Sequence, residues 1–212
     1  VQPTFQPANL SVLQTAVNLW VSDNASALST YGEINSWDVS LITDMSELFR
    51  YKETFNDDIS NWDVSNVTNM YRMFNEANNF NQDISGWDVS SATNMRRLFN
   101  VANSFNQDLS SWDVSNVTTM ESMFKEADSF NQDLSNWNTS NVTNMKEIFQ
   151  GADIFNGNIS TWDVSSVTNM YRSFQGILFS GDFNSWNVSS VTDMNGLFIN
   201  SQFDGIISNW DV

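Results

Sequence analysis

The chain has no cysteine, no histidine, and only eight lysine and arginine residues against 25 aspartate and glutamate. Without cysteine there is no disulfide, no thiol nucleophile and no thiolate metal site, and the redox compartment stays undecided. Without histidine the usual proton shuttle near pH 7 is missing, and with it every Ser-His-Asp arrangement. The shortage of cations leaves a formal charge of −17. Nucleic-acid affinity rests on neutralising phosphates, so a polyanionic partner is excluded, and an anionic membrane surface is disfavoured for the same reason. Apolar runs are short: none approaches the roughly 20 residues of a membrane span, so no membrane insertion is expected. No secretory leader pattern is visible, and Val1-Gln2-Pro3-Thr4 looks like a processed or trimmed start.

Aromatic residues are abundant. Sixteen Phe and nine Trp in 212 residues rule out a disordered acidic tail and supply a core for one large domain or two small ones. The tryptophans also set a period. After Trp20 they fall at 37, 62, 87, 112, 137, 162, 186 and 210, spaced by 25 five times and then by 24 twice. A fixed period in this range is the signature of a repeat architecture.

Two periodicities alternate inside each unit. Trp62 and Val64 flank Asp63, a half-buried strand pattern. Met70, Met73, Phe74 and Ala77 recur at three and four, a helical pattern, with Thr68 placed as its N-cap. Asn81-Gln82-Asp83 reads as the turn back to the next strand. Strands of successive coils would then pair in parallel about 4.8 Å apart. The two shortened units predict a slightly tightened turn.

The unit Ile59-Ser60-Asn61-Trp62-Asp63-Val64-Ser65-Asn66-Val67-Thr68-Asn69-Met70, continued by Met73-Phe74, Ala77 and Phe80-Asn81-Gln82-Asp83, resembles the 25-residue repeat of BspA-like leucine-rich-repeat surface proteins. The resemblance runs from about Ile34 to Val212. It implies an extracellular or cell-surface protein, adhesion in some members, and no common enzymatic activity. The fold class that follows is an α/β solenoid: a right-handed leucine-rich-repeat-like stack of strand-helix coils with a parallel β-sheet on one face. Residues 1–33 form an N-terminal helical cap, with a helical stripe through Leu10, Leu13, Ala16, Val17 and Trp20 and a second short helix near Ala25–Thr30. Residues 34–212 form about seven repeats. The end at Trp210-Asp211-Val212 falls in mid-strand, which points to continuation beyond Val212 or end-to-end stacking on another copy.

Charge is distributed unevenly. All eight cations lie in the sectors read as helical. The middle strand position carries Asp38, Asp63, Asp88, Asp113, Asn138, Asp163, Asn187 and Asp211, and alternation points it outward. The preceding turn adds Asp58, Asp83, Asp108 and Asp133. Adjacent carboxylates about 5 Å apart repel by roughly 0.8 kcal/mol in water. Three uses are open: a solvated face that keeps the chain soluble, a recognition face for a basic protein or a glycan, and weak calcium binding between coils. Calcium favours clustered oxygen donors, so Asp58, Asp63, Asp83, Asp88, Asp108, Asp113 and Asp133 are its candidates, although no EF-hand loop is present. The exposed acidic face proper is Asp38, Asp63, Asp88, Asp113 and Asp163.

Ser and Thr columns follow each strand. They could form an ice-binding array, but the stronger expectation is that they satisfy free backbone N–H groups at the bends. The same acids recur in every coil, whereas catalysis needs one distinct constellation in a pocket, so an enzyme is not expected. The reading is a non-catalytic surface or secreted module acting in adhesion or recognition, or alternatively a structural subunit of a larger extracellular assembly. Departures from the repeat are candidate contacts: Tyr71, Tyr171, Arg96-Arg97 and the irregular unit around Gly176–Gly181.

Overall fold

The computed structural model describes residues 4–210. The calls on Asp211 and Val212, and on Val1 to Pro3, lie outside them. Two helices open the chain. Helix α1 (Leu10–Ser22) is capped by the Asn9 side chain, which accepts from the Val12 amide, and it buries Leu13, Ala16, Val17 and Trp20. Helix α2 (Asn24–Tyr31) is capped by Asp23 and ends at Gly32, whose φ of 74° needs no Cβ to be avoided. The buried residues of α1 belong to the same apolar cluster as those of the repeat.

Beyond Tyr31 the expected strand-helix coil is absent. The described residues hold no α-helix after α2, one short 3-10 turn (Ile34–Ser36), and two two-residue strands, β1 (Leu178–Phe179) and β2 (Gln202–Phe203). The α/β solenoid of leucine-rich-repeat type, with a parallel sheet on one face, is therefore corrected. Neither the Trp-Asp-Val segments nor the Met-Met-Phe-Ala segments are regular structure.

The backbone hydrogen bonds explain why. In an α-helix each amide reaches the carbonyl four residues back. Here Met70, Arg72, Phe74 and Glu76 donate instead to Asn94, Arg96, Leu98 and Asn100 of the following unit, at 2.8–3.0 Å. The intervening Met73, Asn75 and Ala77 donate three residues back, to Met70, Arg72 and Phe74. Tyr71, which has no such carbonyl, donates to the Asn69 side chain. Each run is thus a pair of tight turns whose alternate amides cross to a neighbour.

Two left-handed residues per unit bend the chain this way. Arg72 and Glu76 have φ of 54° and 58°, and Arg97 and Val101 repeat them at 56° and 57°. Turns four residues long place apolar side chains at spacings of three and four, which is how they imitate a helix. Met70, Met73, Phe74 and Ala77 are all buried.

The parallel pairing lies elsewhere than expected. Single bridges join Asp44, Asn69, Asn94, Thr119, Asn144, Asn169 and Asp193, the residue before each turn run, rather than the Trp-Asp-Val positions. At the two shortened units, the expected tightened turn is a strand pair, with Leu178 opposite Gln202 and Phe179 opposite Phe203.

Polar side chains of the repeat also tie units together. Asn56, Asn81 and Asn106 each accept the amide of the corresponding Asn one unit on through Oδ1. Gln82, Gln107 and Gln132 donate to the backbone carbonyls of those same asparagines. This gives the Asn-Gln pair a cross-unit role that turn chemistry alone does not explain.

Between these polar edges run columns of rings. Phe49, Phe74, Phe99, Phe124 and Phe149 follow one another at centroid distances of 5.2–5.7 Å. Phe80, Phe105, Phe130 and Phe155 form a second column at 5.9–6.1 Å. The indoles from Trp20 to Trp186 are buried, and Trp62, Trp87, Trp112, Trp137 and Trp162 each donate Nε1–H to a carbonyl 28 residues earlier. Trp186 Nε1 is buried and finds no acceptor. No helix among the described residues is long and apolar enough to cross a membrane.

Candidate functional site

The acidic columns are built from local turns. In most units an aspartate Oδ1 accepts the amide of the serine two residues on, as an Asx turn does. Asp63 takes Ser65, Asp88 takes Ser90, Asp113 takes Ser115 and Asp163 takes Ser165, at 3.0–3.1 Å. The turn acids do the same: Asp58 takes Ser60, Asp83 takes Ser85, Asp108 takes Ser110 and Asp133 takes Ser135, at 2.8–2.9 Å. Asp38 holds Ser40 by the same contact, and its Oδ2 accepts from Gln6.

These hydrogen bonds favour the ionised form. Side-chain and backbone donation from the paired serine holds Asp38, Asp83, Asp88, Asp113 and Asp163 below the ordinary aspartate value of 3.8. For Asp108 the backbone amide of Ser110 is the larger cause. All these carboxylates are therefore charged at neutral pH.

The columns place one acid per unit and gather no cage. Among the described residues no three acidic side chains converge as a metal ion would require. Asp63, Asp88, Asp113 and Asp163 are exposed, and Asp38 is half-buried. The hydrogen bonds of Asp63, Asp88, Asp113 and Asp163 all fall on Oδ1, and Oδ2 has no hydrogen-bond partner among the described residues. Two units use asparagine at this position, and Asn138 and Asn187 make the identical contact to Ser140 and Ser189. The turn needs the oxygen and has no need of the charge.

The hydroxyl columns differ from expectation. Thr68 does not cap a helix: its Oγ1 donates to the carbonyl of Thr43, and Thr93, Thr118, Thr143 and Thr168 repeat the contact one unit on. These threonines are exposed, and their hydroxyls serve carbonyls rather than free N–H groups.

The cations share the turn-run face, and four of the eight pair with carboxylates there. Arg50 and Arg72 both reach Glu47, Arg96 reaches Glu121, and Lys125 reaches Glu147. The Arg72 and Arg96 guanidinium carbons lie 4.8 and 5.5 Å from the Tyr71 ring centre, and Arg172 lies 4.9 Å from that of Tyr171.

One cleft opens on the acidic face, where the period falls from 25 to 24. It encloses about 650 Å³ and is lined by Trp162, Asp163, Val164, Asp182, Ser185 and Asn187, among others. Asp182, Ser185 and Asn187 have no place in the sequence-based list except as repeat members. The shortened spacing from Trp162 to Trp186 is the signal that marks them.

The model of one protein family matches residues 20–137 and again 126–212; it is described as Mycoplasma protein of unknown function, DUF285. No curated protein and no solved structure matches the chain. The resemblance to BspA-like leucine-rich-repeat proteins is corrected accordingly, since the matching family has no assigned function and the units hold no strand-helix pair. The adhesive or assembly-forming role implied by that resemblance loses its footing with it.

Proposed function

We propose, starting from the fact that the chain belongs to the Mycoplasma DUF285 family of unknown function, that it is a non-catalytic protein whose acidic face takes up cationic ligands. The supporting observation is the redundancy of charge in the aspartate column. Asn138 and Asn187 make the same turn as Asp63, Asp88, Asp113 and Asp163, so the fold does not demand the negative charge. Adjacent carboxylates also repel one another, so the charge is maintained against a small cost. A repeated row of free carboxylate oxygens attracts a polycation more than a point charge, and such attraction is long-ranged and salt-dependent.

The non-catalytic part of the reading rests on the same repetition. Each aspartate of the two columns from Asp38 to Asp163 is engaged by its own serine, so none of them is singled out as a proton donor or nucleophile.

The test is a titration with poly-lysine. Saturable binding that weakens as salt rises is expected. The variant Asp63→Asn/Asp88→Asn/Asp113→Asn, which keeps each turn acceptor, should bind more weakly. Equal affinity for the variant, or no binding at low salt, would leave the column as a solubilising surface only.

A further inference from the structure

We propose that Asn195 is a site of spontaneous covalent modification, in which its side-chain amide is lost to attack by the backbone of Gly196 and replaced by an aspartate or isoaspartate carboxylate. The co-reactant is water. The site is separate from the aspartate columns and does not depend on the reading of them.

An asparagine side chain is open to this reaction when the next residue offers a free and uncrowded amide nitrogen. That nitrogen gives up its proton to hydroxide and bonds to the asparagine Cγ. The Cγ–Nδ2 bond breaks, ammonia leaves, and a five-membered cyclic imide remains. Water then opens the ring. Opening at the side-chain carbonyl gives aspartate, and opening at the main-chain carbonyl gives isoaspartate. In sum one water is consumed, one ammonia is released and one negative charge is gained.

Asn-Gly occurs at 156–157 and at 195–196. At the second pair little holds the reacting atoms back. Asn195 is exposed, and while its backbone amide donates to Asp193, its side chain makes no hydrogen bond among the described residues. Gly196 stands in a column whose other members, Glu47, Arg72, Arg97, Ser122, Glu147 and Arg172, all donate their amides to a carbonyl of the following unit at 2.8–3.1 Å. The Gly196 amide has no acceptor among the described residues. It carries no Cβ to crowd the ring, at a φ of 70°. The Arg172 side chain lies against it, with Cγ 3.1 Å and Nε 3.7 Å from the place a Cβ would take, and has no carboxylate partner among the described residues. A guanidinium there favours the negative charge that develops during ring closure and stands beside the carboxylate that results.

Other asparagines are protected. Asn156 Oδ1 accepts both the amide and the hydroxyl of Ser180, at 3.1 and 3.3 Å, and Gly157 is buried. Asn75 and Asn100 precede Glu76 and Val101, whose amides are engaged by the next unit at 2.8 Å.

The experiment is incubation of the full chain in mildly alkaline buffer, followed by digestion, mass mapping of the peptides and enzymatic methylation to score isoaspartate. A one-dalton gain at Asn195 is expected, faster than at Asn156 by about tenfold or more, since two hydrogen bonds must open before Asn156 reacts. In strong urea, where the Ser180 contacts are gone, the two sites should react at similar rates. Asn195→Gln, whose longer side chain does not close the five-membered ring, should abolish the gain at that position. Equal rates in the folded chain, a faster reaction at Asn156, an Asn195 that reacts only in urea, or a rate difference that persists in urea would overturn the proposal.

Discussion

Replacing Trp112 and Trp186 by phenylalanine, one at a time, separates two indoles that look alike in the sequence. Both are buried and each loses the same ring volume. Trp112 donates Nε1–H to the Ile84 carbonyl at 3.1 Å, and that carbonyl also accepts the Trp87 amide, so it keeps one partner after the change. Trp112→Phe therefore loses one net hydrogen bond, about 0.5–1.5 kcal/mol. Trp186 Nε1 has no acceptor, so Trp186→Phe removes an unpaired buried donor that costs about 1–3 kcal/mol. After the shared ring loss cancels, Trp112→Phe should be the more destabilising by about 3 kcal/mol. In a chain of this length that is about 6–12 °C in melting temperature. The assay is thermal and urea unfolding of the two variants beside the parent chain. Equal losses, or a larger loss for Trp186→Phe, would refute the reasoning.

Other outcomes follow from the same geometry. Val101 is β-branched and held at φ 57°, while Gly151 and Gly176 occupy the equivalent left-handed positions, so Val101→Gly should stabilise by about 0.5–1 kcal/mol, read by urea unfolding. A Cβ built at Gly157 would fall on the backbone carbonyl oxygen of Gln132, so Gly157→Ala should destabilise by about 3 kcal/mol or more and lower the melting temperature accordingly. Serine donors hold Asp38, Asp83, Asp88, Asp108, Asp113 and Asp163 below 3.8 when folded. Their contribution is fully present above the unfolded value and is lost as pH falls through the lowered folded values, so the melting temperature should fall progressively below about pH 4.

The period and the buried rings were legible because tryptophan recurs at spacings of 25 and 24 residues along the chain. The local backbone was not. Met70, Met73, Phe74 and Ala77 satisfy the helical spacing, and nothing in Arg72 or Glu76 announces a left-handed residue. Glycine at 151, 176 and 196 was the available hint, since it stands where other units place Glu, Arg or Val. The hydrogen-bond partners were hidden for a different reason. A carbonyl 24 or 25 residues away competes with the one four residues back only once the neighbouring unit is in place, and local propensity does not contain that term. Of the candidate site, the aspartate columns were readable as recurring positions of the period. Their serine partners appeared as a separate column.

The account depends most on carboxylate charge being dispensable for folding in the aspartate column. Melting Asp63→Asn/Asp88→Asn/Asp113→Asn beside the parent chain at pH 7 tests this directly. An unchanged or slightly raised melting temperature is expected, because each asparagine keeps the serine contact seen at Asn138 and Asn187 while the repulsion between neighbours is gone. A fall of about 5 °C or more, equivalent to well over 1 kcal/mol in a chain of this size, would contradict it.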